Sequence, residues 1–80
     1  MDPLQQAILA ALLSEAEPIS LPRLGKRLGQ GASVLMRALT LMGPATLGGQ
    51  PGPGWVAVAL HDERWTVVLT DAGRQVAAHG

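Results

Sequence analysis

The chain has no cysteine, which excludes a disulfide framework and thiolate chemistry and fits a reducing compartment. It also has no Phe and no Tyr. Its only aromatic side chains are Trp55 and Trp65, so a core has to be assembled from Leu, Val, Ala and Met. No apolar run approaches the ~20 residues that a bilayer-spanning helix needs. The longest, Ala7 to Leu13, has no basic segment before it and no cleavage pattern after it. The expectation is a soluble, cytoplasmic protein with no membrane association. Eighty residues predict one domain, 1–80, near the lower limit at which a chain without crosslinks folds alone.

Catalytic groups are equally sparse. His61 falls in a predicted turn and His79 at the end of the chain, neither with companions at metal-ligand spacing. Asp62 and Glu63 are sequence neighbours, which a solvated turn explains better than a catalytic pair does. The stretch Gly48-Gly49-Gln50-Pro51-Gly52-Pro53-Gly54 carries no Lys-Ser/Thr sequel, and its prolines remove backbone donors. No enzyme, metal or cofactor is expected.

Charge is present but unevenly placed. The net charge is zero. Residues 1–17 contain Asp2, Glu15 and Glu17 and no base, whereas residues 18–61 contain Arg23, Lys26, Arg27 and Arg37 and no acid. The remainder sets Asp62, Glu63 and Asp71 against Arg64 and Arg74. An acid-free middle segment is a candidate contact for a polyanion, or a solvated helix face.

That segment also carries the most informative spacing. Gly25 is followed four positions on by Gly29 and ten positions on by Leu35, with Leu21, Leu24 and Leu28 on one side of the first half. A small residue lets a second helix cross closely, and a glycine at the corner adopts positive φ without penalty. An aliphatic residue on the second helix then closes the angle between the two. This is the skeleton of a helix-turn-helix, and its second helix is a candidate for DNA recognition.

The flanking elements follow from local signals. Asp2-Pro3 starts a helix in which Leu4, Ala7, Ile8, Ala11 and Leu12 recur at helical spacing, with Leu9 and Leu13 widening the stripe. It should end near Ser14, and Ile19 is placed as a very short edge strand. Ser20 caps the second helix, with Pro22 in its first turn. The third helix, about 32–42, buries Leu35, Ala38, Leu39 and Met42 and presents Ser33, Met36, Arg37 and Thr40, with Val34 and Leu41 on a flank. Residues 43–54 read as an ordered turn or a mobile loop. Alternating strands at 55–60 and 65–69, separated by residues 61–64, predict a hairpin. Both tryptophans begin their strands and are expected in core or inter-strand packing rather than as base-stacking groups. Thr70 caps a last helix from Asp71 to about His79.

Helix, helix, turn, helix, hairpin, helix is the order of a winged helix-turn-helix domain: mainly α, a three-helical bundle plus a wing and a short C-terminal helix. Ser20-Leu21-Pro22-Arg23-Leu24-Gly25-Lys26-Arg27-Leu28-Gly29, followed by Ser33-Val34-Leu35-Met36-Arg37-Ala38-Leu39, resembles the second and third helices of many bacterial regulators. Leu69-Thr70-Asp71-Ala72-Gly73-Arg74 is similar to the segment leaving the wing in MarR-type transcriptional regulators. Together these span residues 20–74, roughly two-thirds of the chain. The resemblance implies double-stranded DNA as partner, the third helix in the major groove, and the tip at 61–64 on flanking backbone or minor groove. Ser33, Val34, Met36, Arg37 and Thr40 are then the base-facing set, and Arg23, Lys26, Arg27 and Arg64 the phosphate contacts. Arg37 could bond guanine O6 and N7 together, worth ~1–3 kcal/mol of discrimination.

Two features depart from the family. Gln30 stands where an apolar residue is usual, predicting a looser turn. Asp62 and Glu63 at the tip would be repelled by phosphates. The rival reading is a winged-helix protein-interaction module, using Val34, Met36 and Leu41 on a protein partner. The wide stripe of the first helix, with Leu9 and Leu13 to the side, and Val76, Ala77 and Ala78 in the last, predicts a homodimer with recognition helices ~34 Å apart.

Overall fold

The computed structural model describes residues 2–79 and contains, over that span, four helices, a three-stranded antiparallel sheet and a separate two-stranded one. The first helix, α1 (Pro3–Leu13), begins where the Asp2 carboxylate accepts the Gln5 N–H at 2.8 Å. Strand β1 (Ile19–Ser20) runs directly into α2 (Leu21–Leu28), whose first turn is capped by Ser20 Oγ accepting from the Arg23 N–H. Helix α3 (Ala32–Met42) follows after three residues. These bounds are those expected from the capping signals and the spacing of the apolar positions.

Residues 43–54 are more regular than the sequence implies. Strands β2 (Thr46–Leu47) and β3 (Gln50–Pro51) pair across a Gly48-Gly49 turn. The segment is then tied back to the end of α3, with the Gly54 N–H donating to the Gly43 carbonyl and the Trp55 N–H to that of Met42 at 2.8 Å. Glycine and proline end the helix here, and main-chain bonding supplies the order.

Strands β4 (Val56–His61) and β5 (Arg64–Leu69) pair in a continuous register from Val56↔Leu69 to His61↔Arg64. His61 and Arg64 therefore belong to the ladder, and the four-residue separation expected at 61–64 contracts to a two-residue turn. Asp62 and Glu63 hold positive φ values of 50° and 62°. A turn of that hand matches the right-handed twist of the strands, and Asp tolerates it better than most residues. Strand β1 adds to the other side of β5, Ile19 opposite Val67, giving the order β1-β5-β4.

Helix α4 (Asp71–His79) starts at Thr70, whose Oγ1 accepts the Gly73 N–H at 3.1 Å and donates to the Gly54 carbonyl at 2.6 Å. It returns across α1, and this changes the account of the apolar excess there. Leu9, expected at the side of α1, is only 2% exposed. Val76 and Ala77 pack against the same core. Part of the surface assigned to a dimer is thus consumed within the chain, leaving Leu13 (42% exposed) and Ala78 outside. The central core joins Ile8, Leu24, Leu35, Leu39, Met42 and Val67, all essentially inaccessible. No polar or charged residue is buried among the described residues, and no helix there is long and apolar enough to cross a membrane.

Candidate nucleic-acid interface

The α2–α3 corner is set by main-chain atoms. Helix α2 ends at Gly29 in the left-handed region (φ 67°), and the Gly25 carbonyl receives both the Gly29 N–H and, at 2.9 Å, the Gln30 N–H. A Cβ on Gly25 would stand 2.7 Å from the Gln30 carbonyl oxygen and 3.3 Å from Leu35 Cδ1. Gly25, Gly29 and Leu35 therefore act together as their spacing predicts. The departure at Gln30 does not loosen the turn, because its side chain is exposed and its backbone closes the corner.

From this corner α3 buries Leu35, Ala38, Leu39 and Met42 and presents Ser33, Val34, Arg37, Thr40 and Leu41 to solvent. Met36 is half-buried and packs against the core. The Thr40 hydroxyl donates to the Met36 carbonyl at 2.7 Å. With its proton so engaged, Thr40 offers lone pairs outward, which suit an amino group on a base edge rather than a phosphate oxygen. Arg37 and Lys26 make no ion pair among the described residues, and both are exposed.

The other bases on α2 differ. Arg27 donates from Nη1 to Glu15 Oε1 at 3.2 Å and from Nη2 to Ser14 Oγ at 2.8 Å. Arg23 stands 4.0 Å from the same carboxylate oxygen. Arg27 is thus a bracket between α2 and the end of α1, and its charge is largely answered by Glu15. The spacing of twelve residues gives no sequence signal for this pair.

The hairpin carries the second group. Partners in antiparallel strands share a face, and the faces alternate. Val56, Val58 and Leu60 with Leu69, Val67 and Trp65 form the face toward the core; Arg64 and His61 lie on the opposite one. Arg64 is consequently not brought to the outer stripe of α3. At the tip, Asp62 and Glu63 are fully in solvent, with His61 Nε2 3.4 Å from Asp62.

Sequence reasoning missed one residue of this surface. Trp55 is half-buried against the core as expected, but Trp65 is 42% exposed and its cross-strand partner Leu60 58%. Trp65 lines, with Met36, Thr40, Val56 and Val58, an open cleft of about 220 Å³ between α3 and the hairpin. The signal was the register: a core-facing strand residue one step from the turn runs past the end of whatever covers it. Among the described residues no group of His, Cys, Asp or Glu side chains assembles to hold a metal.

A crystal structure of a candidate DNA-binding protein from Ralstonia eutropha JMP134 has this architecture, with a TM-score of 0.77. The two sequences are 30% identical over 99% of this chain and 95% of that one. No protein-family model matches the chain, and no curated protein does.

Proposed function

We propose, because this chain belongs to the same family as the Ralstonia eutropha protein, that it binds double-stranded DNA. In this reading the chain, 1–80, is a single winged helix-turn-helix domain of the kind found in small bacterial transcriptional regulators, acting in the cytoplasm. Helix α3 enters the major groove and the β4–β5 hairpin is the wing. The observation that carries the reading is the outer stripe of α3. It is exposed, it contains no acid, and it is held at a fixed angle by a backbone-closed corner.

Ser33 and Thr40 address base edges, Val34 and Met36 the thymine methyl, and Arg37 a guanine. Lys26 is the freest phosphate contact on α2. Arg23 and Arg27 serve the same end only in so far as Glu15 releases them, and Arg64 reaches phosphate from the outer face of the hairpin. Pairing of two copies, through Leu13 and the remaining exposed apolar residues, would set two α3 helices on a palindrome.

Gel shift with a random-sequence duplex at low and at moderate salt tests the proposal. Binding should weaken with salt, and Arg37→Ala should lower affinity and relax sequence specificity. Folded protein that fails to shift duplex even at low salt would overturn it.

One observation favours a second reading, a protein-interaction module. Four large apolar side chains exposed in the described residues, Val34, Leu41, Leu60 and Trp65, belong to α3 or the hairpin, and two bases of α2 are engaged by Glu15. In that case Val34→Glu with Leu41→Glu should abolish capture of a protein partner while the fold persists.

A further inference from the structure

The hydroxyl of Thr40 has only one sense left in which to bond. Its proton goes to the Met36 carbonyl, four residues back, at 2.7 Å. Threonine in a helix is held to few χ1 rotamers, and this back-bond selects one, so Oγ1 and its lone pairs are fixed relative to the helix. The side chain is nonetheless exposed. It is an acceptor presented to solvent.

Its place on α3 pairs it with an opposite. At about 3.6 residues per turn, Leu35, Ala38, Leu39 and Met42 centre on one direction, and Ser33, Arg37 and Thr40 lie nearest the reverse one. A guanidinium carries donors and no acceptor. That of Arg37 is exposed and makes no ion pair among the described residues. The outermost line of the helix thus sets a donor-only group three residues ahead of an acceptor-only one. The two stand about 4.5 Å apart along the helix axis, which is one to two base steps of about 3.4 Å.

We propose that Thr40 selects an amino base, adenine or cytosine, over a keto base, guanine or thymine, at one position of the bound sequence. That position lies one or two steps from the guanine bonded by Arg37. The inference rests on the DNA-binding reading above and deepens it to a class of sequence. In the major groove adenine N6 and cytosine N4 donate, whereas guanine O6 and thymine O4 accept. Facing a keto oxygen, Thr40 Oγ1 has either to set lone pairs against lone pairs or to give up its bond to Met36. Every base pair carries one amino and one keto group there, so the choice is between strands rather than between A·T and G·C. An arginine at the same place would make the reverse choice.

The test uses the full chain and repeated capture of random-sequence duplexes at low salt, followed by sequencing of the retained pool. The wild type should retain A or C over G or T by about ten-fold at one position, one or two steps from a retained G. Thr40→Val, of the same shape but without the hydroxyl, should lose that preference and keep the G. Thr40→Ser should keep both, and Arg37→Ala should lose the G and keep the amino base. Should Thr40→Val fail to fold by circular dichroism, the wild type still decides on two defined duplexes that differ only in the inversion of that base pair. The inverted duplex should bind about ten-fold more weakly, and equal binding overturns the inference. A Thr40→Val pool identical to that of the wild type, a keto base at the position, or duplex binding with no retained sequence would remove the inference and leave the DNA reading standing. Absence of any duplex binding at low salt would remove both.

Discussion

Alanine at position 25 puts the α2–α3 corner to the test. The added methyl would meet the Gln30 carbonyl oxygen at 2.7 Å and Leu35 Cδ1 at 3.3 Å. The leucine can turn aside. The carbonyl belongs to the main chain of the turn, and Gln30 is held by its own N–H on the Gly25 oxygen at 2.9 Å, so relief means displacing the corner. Two effects oppose each other. Alanine is the better helix former by about 1 kcal/mol. Overfilling a packed contact costs about 1–3 kcal/mol, and a rigid backbone atom places this case in the upper half of that range. The net expectation is a loss of about 1–2 kcal/mol, or roughly 5–15 °C in Tm for a domain of this size.

A companion substitution should behave oppositely. Gly31, at the start of α3, meets nothing within 4 Å and makes no side-chain cap. Serine there supplies the missing acceptor and should raise stability by a few tenths of a kcal/mol. Thermal unfolding of the two variants by circular dichroism, with duplex affinity measured well below both transitions, reads stability and function separately. Gly25→Ala should lose affinity even when folded, because α3 is displaced relative to α2. If it melts with the wild type or above it, the corner has slack and the close-approach account is wrong.

Two further outcomes follow from the packing of α1 and the ion pairs of α2. Leu9→Ala should cost about 2–5 kcal/mol in chemical denaturation, as a core truncation, and Leu13→Ala no more than about 0.5 kcal/mol; similar losses at both positions would contradict the burial of Leu9 in the core. Glu15→Gln frees Arg27 and Arg23 from their shared carboxylate, so duplex affinity should rise and its salt slope steepen, while stability falls by less than about 1 kcal/mol because the pairs are partly solvated. An unchanged salt slope would mean that neither arginine reaches phosphate.

Much of the architecture was legible because its causes are local. Asp2 before Pro3, Ser20 two residues ahead of Pro22, and Thr70 before Asp71 each satisfy backbone groups within a single turn, and a window of a few residues contains all the atoms concerned. The period of Leu35, Ala38, Leu39 and Met42 likewise assigns the inner face of α3, and hence its outer one. The corner needed only eleven residues, Gly25 to Leu35, to be read.

Other features depend on where distant elements end. The sequence by itself could not say that α4 packs on α1 and that Leu9 is buried within the chain, since a wide apolar stripe looks the same whether its own chain or a second chain covers it. Nor could it pair Arg27 with Glu15, because that contact exists only once α2 has folded back against the end of α1. Trp65 is the clearest case. Alternation determined that it faces the core side of the sheet, but whether a core-side residue is buried or bare depends on how far the helices extend beneath it. Only the tertiary structure decided that, and it left the indole beside α3 and open to solvent.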